Sequence, residues 1–369
     1  MKREPDAAQA GGTSAAGDEV VARLLRCLKC GSPLLAAGGV PPVSAEHADG
    51  ELTCPSCQAN YPIRSGTVVM LDDAAQGEGA PSAQLQSELS IKRKTAESFA
   101  YEWEQFGELR EEWAQNFAEY LRPHTAEFLR GKLVLDVGAG SGRHSHQAHT
   151  HGARVVAADL GAAIHVARRN LPAEVLTVQA DAEHLPLPEA AFDFVISIGV
   201  LHHMPDTRRA LHAIVRHVKP GGYVQIYVNC EPEQRWQRSA LSALAVLRRV
   251  TTRMPYRLLH LLSYPGAAVL FVLFALPYRA MRPHRSLRAI AERLPLRSYA
   301  DYPFGVCVND LFDRMVAPIV HRFTEQQMRE LMLGTGLTDV VLTAHHGWIA
   351  SARRPENSPP AAPAFNQSS

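Results

Sequence analysis

The sequence predicts an α/β fold in which a small cysteine-rich module precedes a doubly wound, mostly parallel sheet. Three observations carry this prediction. From Lys132 onward, short apolar runs alternate with helix-length segments, a rhythm typical of parallel strands joined by crossover helices. A glycine-rich turn directly follows the first apolar run, and two closely spaced pairs of cysteines stand near the N-terminus. Thr324 and Gln327 predict a capped helix, and the segment DVVLTAHHGWIASARR after it predicts an antiparallel hairpin that closes the sheet.

Length and composition fit a soluble enzyme. The 369 residues are enough for about two domains of ordinary size, and 46% of them are hydrophobic. Basic and acidic residues nearly balance, 38 against 37, so net charge gives no argument for attraction of the whole chain to nucleic acid or membranes. The N-terminal residues contain no apolar run of the length that a secretory signal requires, so we expect a cytoplasmic protein.

Shifts in composition divide the chain into segments. Both ends are rich in small residues and lack periodicity, which predicts disordered tails, and Gly, Pro and acids after the cysteine module predict a linker. Aromatic residues at helical spacing then predict a helical lid ahead of the sheet. The expected boundaries are tails at 1–20 and 355–369, a cysteine module at 21–71, a linker at 72–90, a helical lid at 91–131, a sheet domain at 132–230 and 324–354, and a helical insertion at 231–323.

Four of the six cysteines form two Cys-x-x-Cys pairs. Cys27 and Cys30 are separated by 23 residues from Cys54 and Cys57. Two such pairs can present four thiolates tetrahedrally, and in a chain without an export signal this spacing favours zinc over disulfides. Four thiolates would fill the coordination shell, so we predict a structural Zn²⁺. The alternative is two unrelated pairs of buried or redox-active thiols.

The segment LTCPSCQANYPIRSGTVVML resembles the zinc-ribbon family of small methyltransferase-activator subunits. In that family a YPI-x-x-G-I-P-x-ML stretch follows the last cysteine pair. Tyr61 to Ile63 and Gly66 match the pattern, whereas the residues directly after Gly66 differ from the Ile-Pro that the family favours. The resemblance covers residues 23–71 and implies that the module docks to a methyltransferase.

The first apolar run of the sheet domain, Leu133 to Asp136, leads into a turn with three glycines. These are Gly138, Gly140 and Gly142. Glycine lets the backbone bend sharply and approach a ligand closely. The next run ends in Asp159, whose carboxylate can accept hydrogen bonds from both hydroxyls of a ribose, so the pair of features predicts a nucleotide-like cofactor. Arg143 stands where a dinucleotide fingerprint requires glycine, which disfavours a nicotinamide cofactor.

Residues 132–230 and 324–354 together resemble class I S-adenosylmethionine-dependent methyltransferases with a type 11-like domain. The motifs VLDVGAGSG, QADAEHLPLPEAAFDFV, VLHHMPD and VKPGG occur in the family's order and at its spacing. The resemblance implies a seven-stranded Rossmann-like sheet that binds S-adenosyl-L-methionine. The contacts that it implies are the three glycines with the methionine part of the cofactor, Asp136 near its ammonium group, Asp159 with its ribose, and Asp181 and Ala182 beside its adenine.

Two histidines are the predicted catalytic residues. His202 and His203 directly follow the fourth predicted strand of the sheet domain, Phe192 to Gly199, near its carboxyl end. A general base is needed only if the acceptor must lose a proton, as a hydroxyl would. The alternative is that one or both histidines pack in the core or bond to the backbone.

The aromatic stripe of the segment 91–131 has two interpretations. It is either an ordinary core face or a lid, with Tyr101 or Trp103 closing over the cofactor. The pattern Phe-x-Tyr-x-Trp-x-x-Phe is similar to segments that precede this domain in ribbon-fused methyltransferases, which favours the lid.

The insertion combines apolar and basic residues. Twelve arginines and one acid, Glu292, lie between Arg235 and Arg297, and the run 258–278 contains no Asp, Glu, Lys or Arg. Pro265 and Gly266 interrupt this run, and arginines flank both ends, which disfavours a spanning helix. We prefer a helical hairpin that roofs an apolar substrate and admits membrane contact; ordinary core helices and a spanning segment are the alternatives.

These features predict an S-adenosylmethionine-dependent methyltransferase acting by in-line displacement on an apolar or amphiphilic small molecule or a lipid-linked acceptor. An anionic membrane surface is the expected partner of residues 235–297, with the enzyme peripheral at the inner membrane surface; nucleic acid is less favoured because stacking aromatics do not interleave the arginines. The first alternative is methylation of RNA or a translation factor. The second is a cofactor-binding scaffold, without catalysis, that activates a partner methyltransferase.

Overall fold

The computed structural model describes residues 24–34, 49–71, 82–232, 234–294 and 297–357. The predicted N-terminal tail, most of the predicted C-terminal tail and most of the predicted linker lie outside the described residues.

A single sheet of ten strands runs through the described residues. The strands are β1 Gly50–Thr53, β2 Asn60–Arg64, β3 Thr67–Val69, β4 Leu133–Val137, β5 Arg154–Asp159, β6 Leu176–Gln179, β7 Phe192–Ile198, β8 Val218–Asn229, β9 Thr338–Ala344 and β10 Gly347–Arg353. Their spatial order is β1-β2-β3-β6-β5-β4-β7-β8-β10-β9. The seven strands from β6 to β9 in this order form the Rossmann-like sheet that the sequence predicts.

Parallel pairing brings the carboxyl ends of the central strands to one edge. β4 pairs in parallel with β5 and β7, and all five of its residues are buried. Runs of Val, Leu and Ile form such strands because helices cover both of their faces. β10 runs antiparallel between β8 and β9, which confirms the predicted hairpin. The glycine turn after β4, Asp159 at the end of β5 and the histidines after β7 therefore meet at the same edge.

The helices cover the sheet and build the insertion. In chain order they are α1 Ala83–Phe106, α2 Glu112–Tyr120, α3 Arg143–Thr150, α4 Ala163–Asn170, α5 Thr207–Val215, α6 Arg235–Thr251, α7 Tyr256–Leu270, α8 Leu276–Met281, α9 Arg288–Ala291, α10 Phe304–Val316 and α11 Glu325–Leu333. A π-helical segment at Phe271–Ala275 makes α7 and α8 continuous. Thr324 and Gln327 form a capping box at the start of α11, as the sequence predicts.

β3 joins the cysteine module to the sheet. It pairs in parallel with β6, where Val68 lies opposite Val178, and the Met70 backbone N–H donates to the Gln179 carbonyl at 2.8 Å. Buried side chains of the module belong to the same hydrophobic cluster as those of the sheet. The cysteine module is therefore one end of the ten-stranded sheet.

α1 starts earlier than expected and buries polar side chains. It begins at Ala83, inside the segment 72–90 that the sequence predicts to be a linker, and the Ser82 Oγ accepts a capping hydrogen bond from the Leu85 N–H at 3.3 Å. Its buried residues are Lys92, Ser98 and Glu102. A helix with this buried face covers a polar site, because an apolar core would leave these groups without partners.

The insertion packs through α10. Leu259 of α7 lies in one apolar cluster with Phe312, and Ala267 lies in another with Cys307 and Val308. Among the described residues, the helix Tyr256–Met281 has the length and composition to cross a membrane, and 22% of its apolar stretch is buried in the protein.

Candidate functional site

The glycine turn after β4 has no room for side chains. Gly138, Gly140 and Gly142 have φ of +78°, +56° and +82°, a region that residues with a Cβ rarely adopt. A Cβ on Gly138 would lie 2.3 Å from the Val200 Cγ2 atom, and one on Gly140 would lie 2.7 Å from the Trp103 Nε1 atom. The turn is thus a narrow cradle, and Trp103 of α1 lies directly over it. Tyr101, the other predicted lid residue, points elsewhere and bonds to His260.

Asp159 orders this cradle. Its Oδ2 accepts from the Gly140 N–H at 2.9 Å and its Oδ1 from the Gly161 N–H at 2.8 Å. Burial raises the pKa of Asp159, and the two backbone N–H groups oppose that shift. Each carboxylate oxygen keeps a lone pair, so both ribose hydroxyls of a nucleoside can still donate to it.

Asp136 is a buried carboxyl group beneath the turn. It is 1% exposed, and the Ser145 Oγ donates to its Oδ2 at 2.6 Å. Burial raises its pKa to about 7. An ammonium group placed beside it would supply the missing counter-charge, so this residue fits the amino group of a bound amino acid.

The predicted adenine contacts lie after β6. Lys92 of α1 bridges two acids, with its Nζ 2.7 Å from the Asp181 Oδ2 and 3.0 Å from the Glu183 Oε2. The Asp181 Oδ1 accepts from the Glu183 N–H at 3.0 Å. Ala182 lies next to this ion-paired turn and is half-buried. Lys92 was missed by sequence reasoning because one lysine on a long helix carries no motif.

His202 and His203 are buried behind the turn at the end of β7. The His203 Nδ1 donates to the Ile319 carbonyl at 2.8 Å, and its ring stacks edge-to-face on Phe99 with centroids 4.9 Å apart. The His202 Nδ1 is buried without a hydrogen-bond partner among the described residues. Burial lowers the pKa of His203 to about 4 and that of His202 well below its ordinary value. Both imidazoles are therefore neutral at pH 7.

A second polar group, absent from the sequence prediction, lies where α1 meets α10. We call Glu102, Arg143, Asn309 and Asp313 the polar cluster. Glu102 is 3% exposed and bonds to Asn309, yet its Oε2 has no partner among the described residues, and neither do the Asn309 Oδ1 and Asp313 Oδ1. Buried oxygens without partners are rare in folded proteins and mark places where a ligand can bond.

The electrostatics of the polar cluster follow from burial and repulsion. Burial and the nearby Asp313 hold the pKa of Glu102 well above its usual range, while burial and Asp310 raise the pKa of Asp313 to about 6. Arg143 opens α3 and lies over the rings of Trp103 and Trp113, at 4.9 and 4.8 Å from their centroids. The arginine thus links the polar cluster to the lid over the glycine turn. An acid within an aromatic stripe, Glu102 in AYEWEQF, was the available sequence signal.

The four predicted metal ligands meet in the cysteine module. Their Sγ atoms all lie within 4.8 Å of one another, and the pairs Cys27–Cys57 and Cys30–Cys54 are each 3.5 Å apart. Tetrahedral Zn²⁺ with Zn–S bonds of about 2.3 Å needs sulfurs about 3.8 Å apart, so the cluster fits that ion. Four thiolates bound to that ion would leave no position for water.

Comparison with known proteins agrees with this geometry. Residues 135–226 match the family model described as a methyltransferase domain. These residues include the glycine turn, Asp159 and the two histidines. This part of the chain therefore matches a methyltransferase domain.

Relatives of this methyltransferase domain differ in the acceptor that their names imply. The chain is 33% identical to a ubiquinone biosynthesis O-methyltransferase from Photorhabdus laumondii over 128 residues, which are 32% of this chain and 52% of that protein. It is 36% identical to a probable tRNA methyltransferase 9B from Mus musculus over 116 residues, 29% of this chain and 24% of that one. The alignment thus spans about half of the first protein and a quarter of the second.

Among solved structures, the chain is similar to a 1,6-didemethyltoxoflavin-N1-methyltransferase from Burkholderia thailandensis with bound S-adenosylhomocysteine. The likeness has a TM-score of 0.43 at 16% identity and covers 76% of this chain and 93% of that one.

Proposed function

We propose that the protein transfers the methyl group of S-adenosyl-L-methionine to a hydroxyl of an apolar or amphiphilic acceptor, such as a small molecule or a lipid-linked compound. The observation that carries this proposal is the Trp103-covered glycine turn, which adjoins a second buried site with unpartnered oxygens. The first site suits the methyl donor. The second suits an acceptor that donates hydrogen bonds.

The residues around the turn would bind and align the donor. Gly138, Gly140 and Gly142 would pass under its methionine part, Asp136 would face its ammonium, and Asp159 would hold its ribose, with Asp181 and Ala182 beside the adenine. When bound, S-adenosyl-L-methionine supplies a methyl group already activated on a sulfonium. Alignment of the acceptor oxygen with that methyl, and exclusion of water by Trp103, are the tasks left to the protein, and positioning of this kind is worth about 7–11 kcal/mol.

A hydroxyl acceptor must also lose its proton, and the structure offers two kinds of base. His202 and His203 have pKa values far below neutrality, so they accept hydrogen bonds well and protons poorly. Asp313, with a pKa of about 6, is better matched to neutral pH. We propose that Asp313 takes the proton and that the histidines orient the acceptor or the β7 turn.

The acceptor class follows from the insertion and from the names of the relatives. The proteins named for ubiquinone biosynthesis are O-methyltransferases, and the apolar helices of the insertion stand beside the lid. An apolar acceptor with a hydroxylated polar head group fits both the names of these relatives and the apolar helices. We expect a cytoplasmic protein that meets this acceptor at the inner membrane surface, with a structural Zn²⁺ on the four cysteines.

The test is to incubate the purified full-length chain with methyl-labelled S-adenosyl-L-methionine and fractions of a cell lysate. We expect label in the organic-solvent extract, lost in Asp159→Ala. Label in the RNA fraction would instead support the second candidate, which the resemblance to the mouse tRNA methyltransferase favours. Binding of S-adenosylhomocysteine without label in any fraction would favour the activating scaffold, and no binding at all would overturn the donor site.

A further inference from the structure

The continuous helix α7–α8 exposes an apolar face along its whole length. Its side chains on that face are between 43% and 65% exposed. They are Leu258, Leu261, Leu262, Val269, Val272, Leu273 and Leu276. Their spacing of three or four residues places them on one side of the helix. Isolated apolar side chains are normal on a protein surface, but a contiguous row of this length marks an interaction surface.

The opposite face of the same helix is fastened to the protein. Leu259, Ser263, Ala267 and Ala275 are buried and recur at intervals of about one or two turns. Leu259 packs with Phe312 of α10, and a Cβ on Gly266 would lie 2.6 Å from the Leu311 Cδ2 atom. A helix held along one side in this way cannot be surrounded by lipid. It can lie in the plane of a membrane interface with its exposed apolar face toward the lipid.

Positive charge brackets the apolar face. Exposed arginines precede it, namely Arg249, Arg253 and Arg257, and others follow it, namely Arg279, Arg282 and Arg285. Among the described residues from 234 to 294, the one acidic side chain is Glu292, which pairs with Arg288. Asp301, which follows this range, pairs with Arg282 at 2.6 Å, so the other five flanking arginines carry the positive charge of the face. Apolar residues between basic ends complement a bilayer with anionic headgroups, where arginines meet phosphates and aliphatic side chains enter the acyl boundary.

A second copy of the chain complements this face less well. Both ends of the face are basic, so parallel or antiparallel pairing with another copy would bring arginines against arginines. Nucleic acid would satisfy the arginines but leave the leucines and valines in water. The observations therefore favour lipid as the occupant.

We propose that the outward face of α7–α8 docks in the plane of an anionic lipid bilayer. The docked helix also lies next to the lid. On its protein-facing side, the His260 Nδ1 lies 3.2 Å from the Tyr101 hydroxyl, and its ring lies 5.1 Å from that of Phe106, both on α1. The same α1 carries Trp103 over the glycine turn. Delivery of acceptor from the bilayer to the lid rests on the proposed function; docking itself does not.

The test uses the full-length chain and lipid vesicles, without cofactor or acceptor. Flotation is compared between vesicles of phosphatidylcholine alone and of phosphatidylcholine with phosphatidylglycerol. We expect strong binding to the anionic vesicles that weakens as salt is added, and weaker binding to the neutral ones. A wild-type chain that stays unbound with phosphatidylglycerol vesicles overturns the proposal.

Variants locate the contact. Leu261→Glu and Val272→Glu should each weaken binding to anionic vesicles about tenfold or more, because each removes apolar burial and adds a repelled charge. Arg257→Gln should weaken it about fivefold on anionic vesicles alone. The matched control is Leu333→Glu at the end of α11, where the leucine is 51% exposed against 65% for Leu261; this variant should bind as the wild type does. Equal effects of Leu333→Glu and Leu261→Glu would overturn the assignment of the face.

Further measurements distinguish lipid docking from the other possible occupants of this face, and distinguish failure of the docking proposal from failure of the proposed function. Light scattering that shows a dimer, which Leu261→Glu disrupts, together with absence of vesicle binding, would assign the face to a second copy. Resistance of membrane-bound protein to alkaline carbonate extraction would overturn the in-plane arrangement. Circular dichroism checks the fold of each variant. Vesicle binding without S-adenosylhomocysteine binding would refute only the proposed function, and the reverse would refute only the docking.

Discussion

Asp159 and Asp313 are both half-buried, yet their surroundings give their carboxyl groups different chemistry. Backbone N–H groups at 2.9 and 2.8 Å fix both oxygens of Asp159, so it serves as a rigid acceptor. The Asp313 Oδ1 has no partner among the described residues, and Asp313 lies in the field of Asp310, so its proton is easily exchanged. A fixed acceptor binds a ligand, whereas a carboxyl group with a pKa near neutrality moves protons.

Replacement of Asp159 by alanine should abolish donor binding. The variant loses two hydrogen bonds from the ligand to a charged group, and it loses the carboxylate that accepts from the Gly140 and Gly161 N–H groups and shapes the turn. We therefore expect at least about a hundredfold weaker binding of S-adenosylhomocysteine by calorimetry. Asp206→Ala is the matched control. Its carboxylate caps α5 through the Arg209 N–H at 2.9 Å, so it should lower stability by about 1 kcal/mol and leave the affinity unchanged. Equal affinity in the wild type and Asp159→Ala would contradict the assignment.

Asp313→Asn should lower turnover and change its pH dependence. A base must be ionised, so the wild-type rate with the labelled extract should rise with pH to a plateau above about 6, the pKa of Asp313. The variant should lose about 10²–10⁴-fold in rate and show no such rise. A wild-type rate that stays flat between pH 5 and pH 7, or a variant that keeps the rise, would assign the proton to another group.

Stability distinguishes this loss of activity from misfolding. The pKa of Asp313 in the folded protein lies above its ordinary value of 3.8, so ionisation of the buried carboxyl destabilises the fold progressively as pH rises from about 4 to about 6. Asp313→Asn should therefore unfold at a higher temperature than the wild type above pH 6 and at a similar temperature below pH 4. A variant that is less stable at both ends of this range would contradict the burial of the ionised group.

At the scale of elements, the sequence predicted the strands and helices whose signals are periodic apolar residues, glycine turns or helix caps. Apolar runs predicted the strands, and the capping box predicted α11, because both signals lie within a few neighbouring residues. The sequence did not predict where helices pack. α1 extends back to Ala83, and its buried Lys92 and Glu102 face the site. Their positions depend on contacts with the turn after β6 and with α10, which lie more than eighty residues away along the chain.

The face of α7 shows the same limit. Its apolar residues surround the helix, so hydrophobic periodicity could not separate the side that packs on α10 from the side that is exposed. Only the positions of Leu259 and Ala267 against α10 decide this. The predicted adenine contact at Asp181 was placed by its motif, but its ion pair with Lys92 depends on the tertiary position of α1.

The position of α1 over the glycine turn predicts a lid function for Trp103. Removal of its indole in Trp103→Ala uncovers Gly140, so S-adenosylhomocysteine should bind about tenfold more weakly. Trp113→Ala is the control, because it also stacks on Arg143 but does not cover Gly140. Calorimetric titration compares the two variants. A larger loss of affinity for S-adenosylhomocysteine in Trp113→Ala than in Trp103→Ala would show that Arg143, rather than the covered turn, controls binding.

At the scale of the whole molecule, continuity of the sheet links the cysteine module to the candidate cofactor site. β3 bonds to β6, and the segment after β6 carries Asp181. The apolar cluster of the module continues into that of the sheet, so the module covers what would otherwise be an unprotected strand edge. A ribbon that acts on a separate methyltransferase would be expected to fold by itself. Here the ribbon and the methyltransferase sheet share one core and should unfold together.

Removal of zinc should therefore destabilise the whole chain in one transition. Four thiolates released from the ion would repel one another, and the module has too small a core to stay folded alone. Calorimetry with and without a chelator, with zinc content measured in parallel, should show a single transition that shifts to lower temperature as zinc is lost. Cys27→Ser should reproduce the shift, and Cys230→Ser, outside the cluster, should not. Two separate transitions, with the larger one insensitive to zinc, would show instead that the β3–β6 pairing contributes little to the stability of the methyltransferase domain.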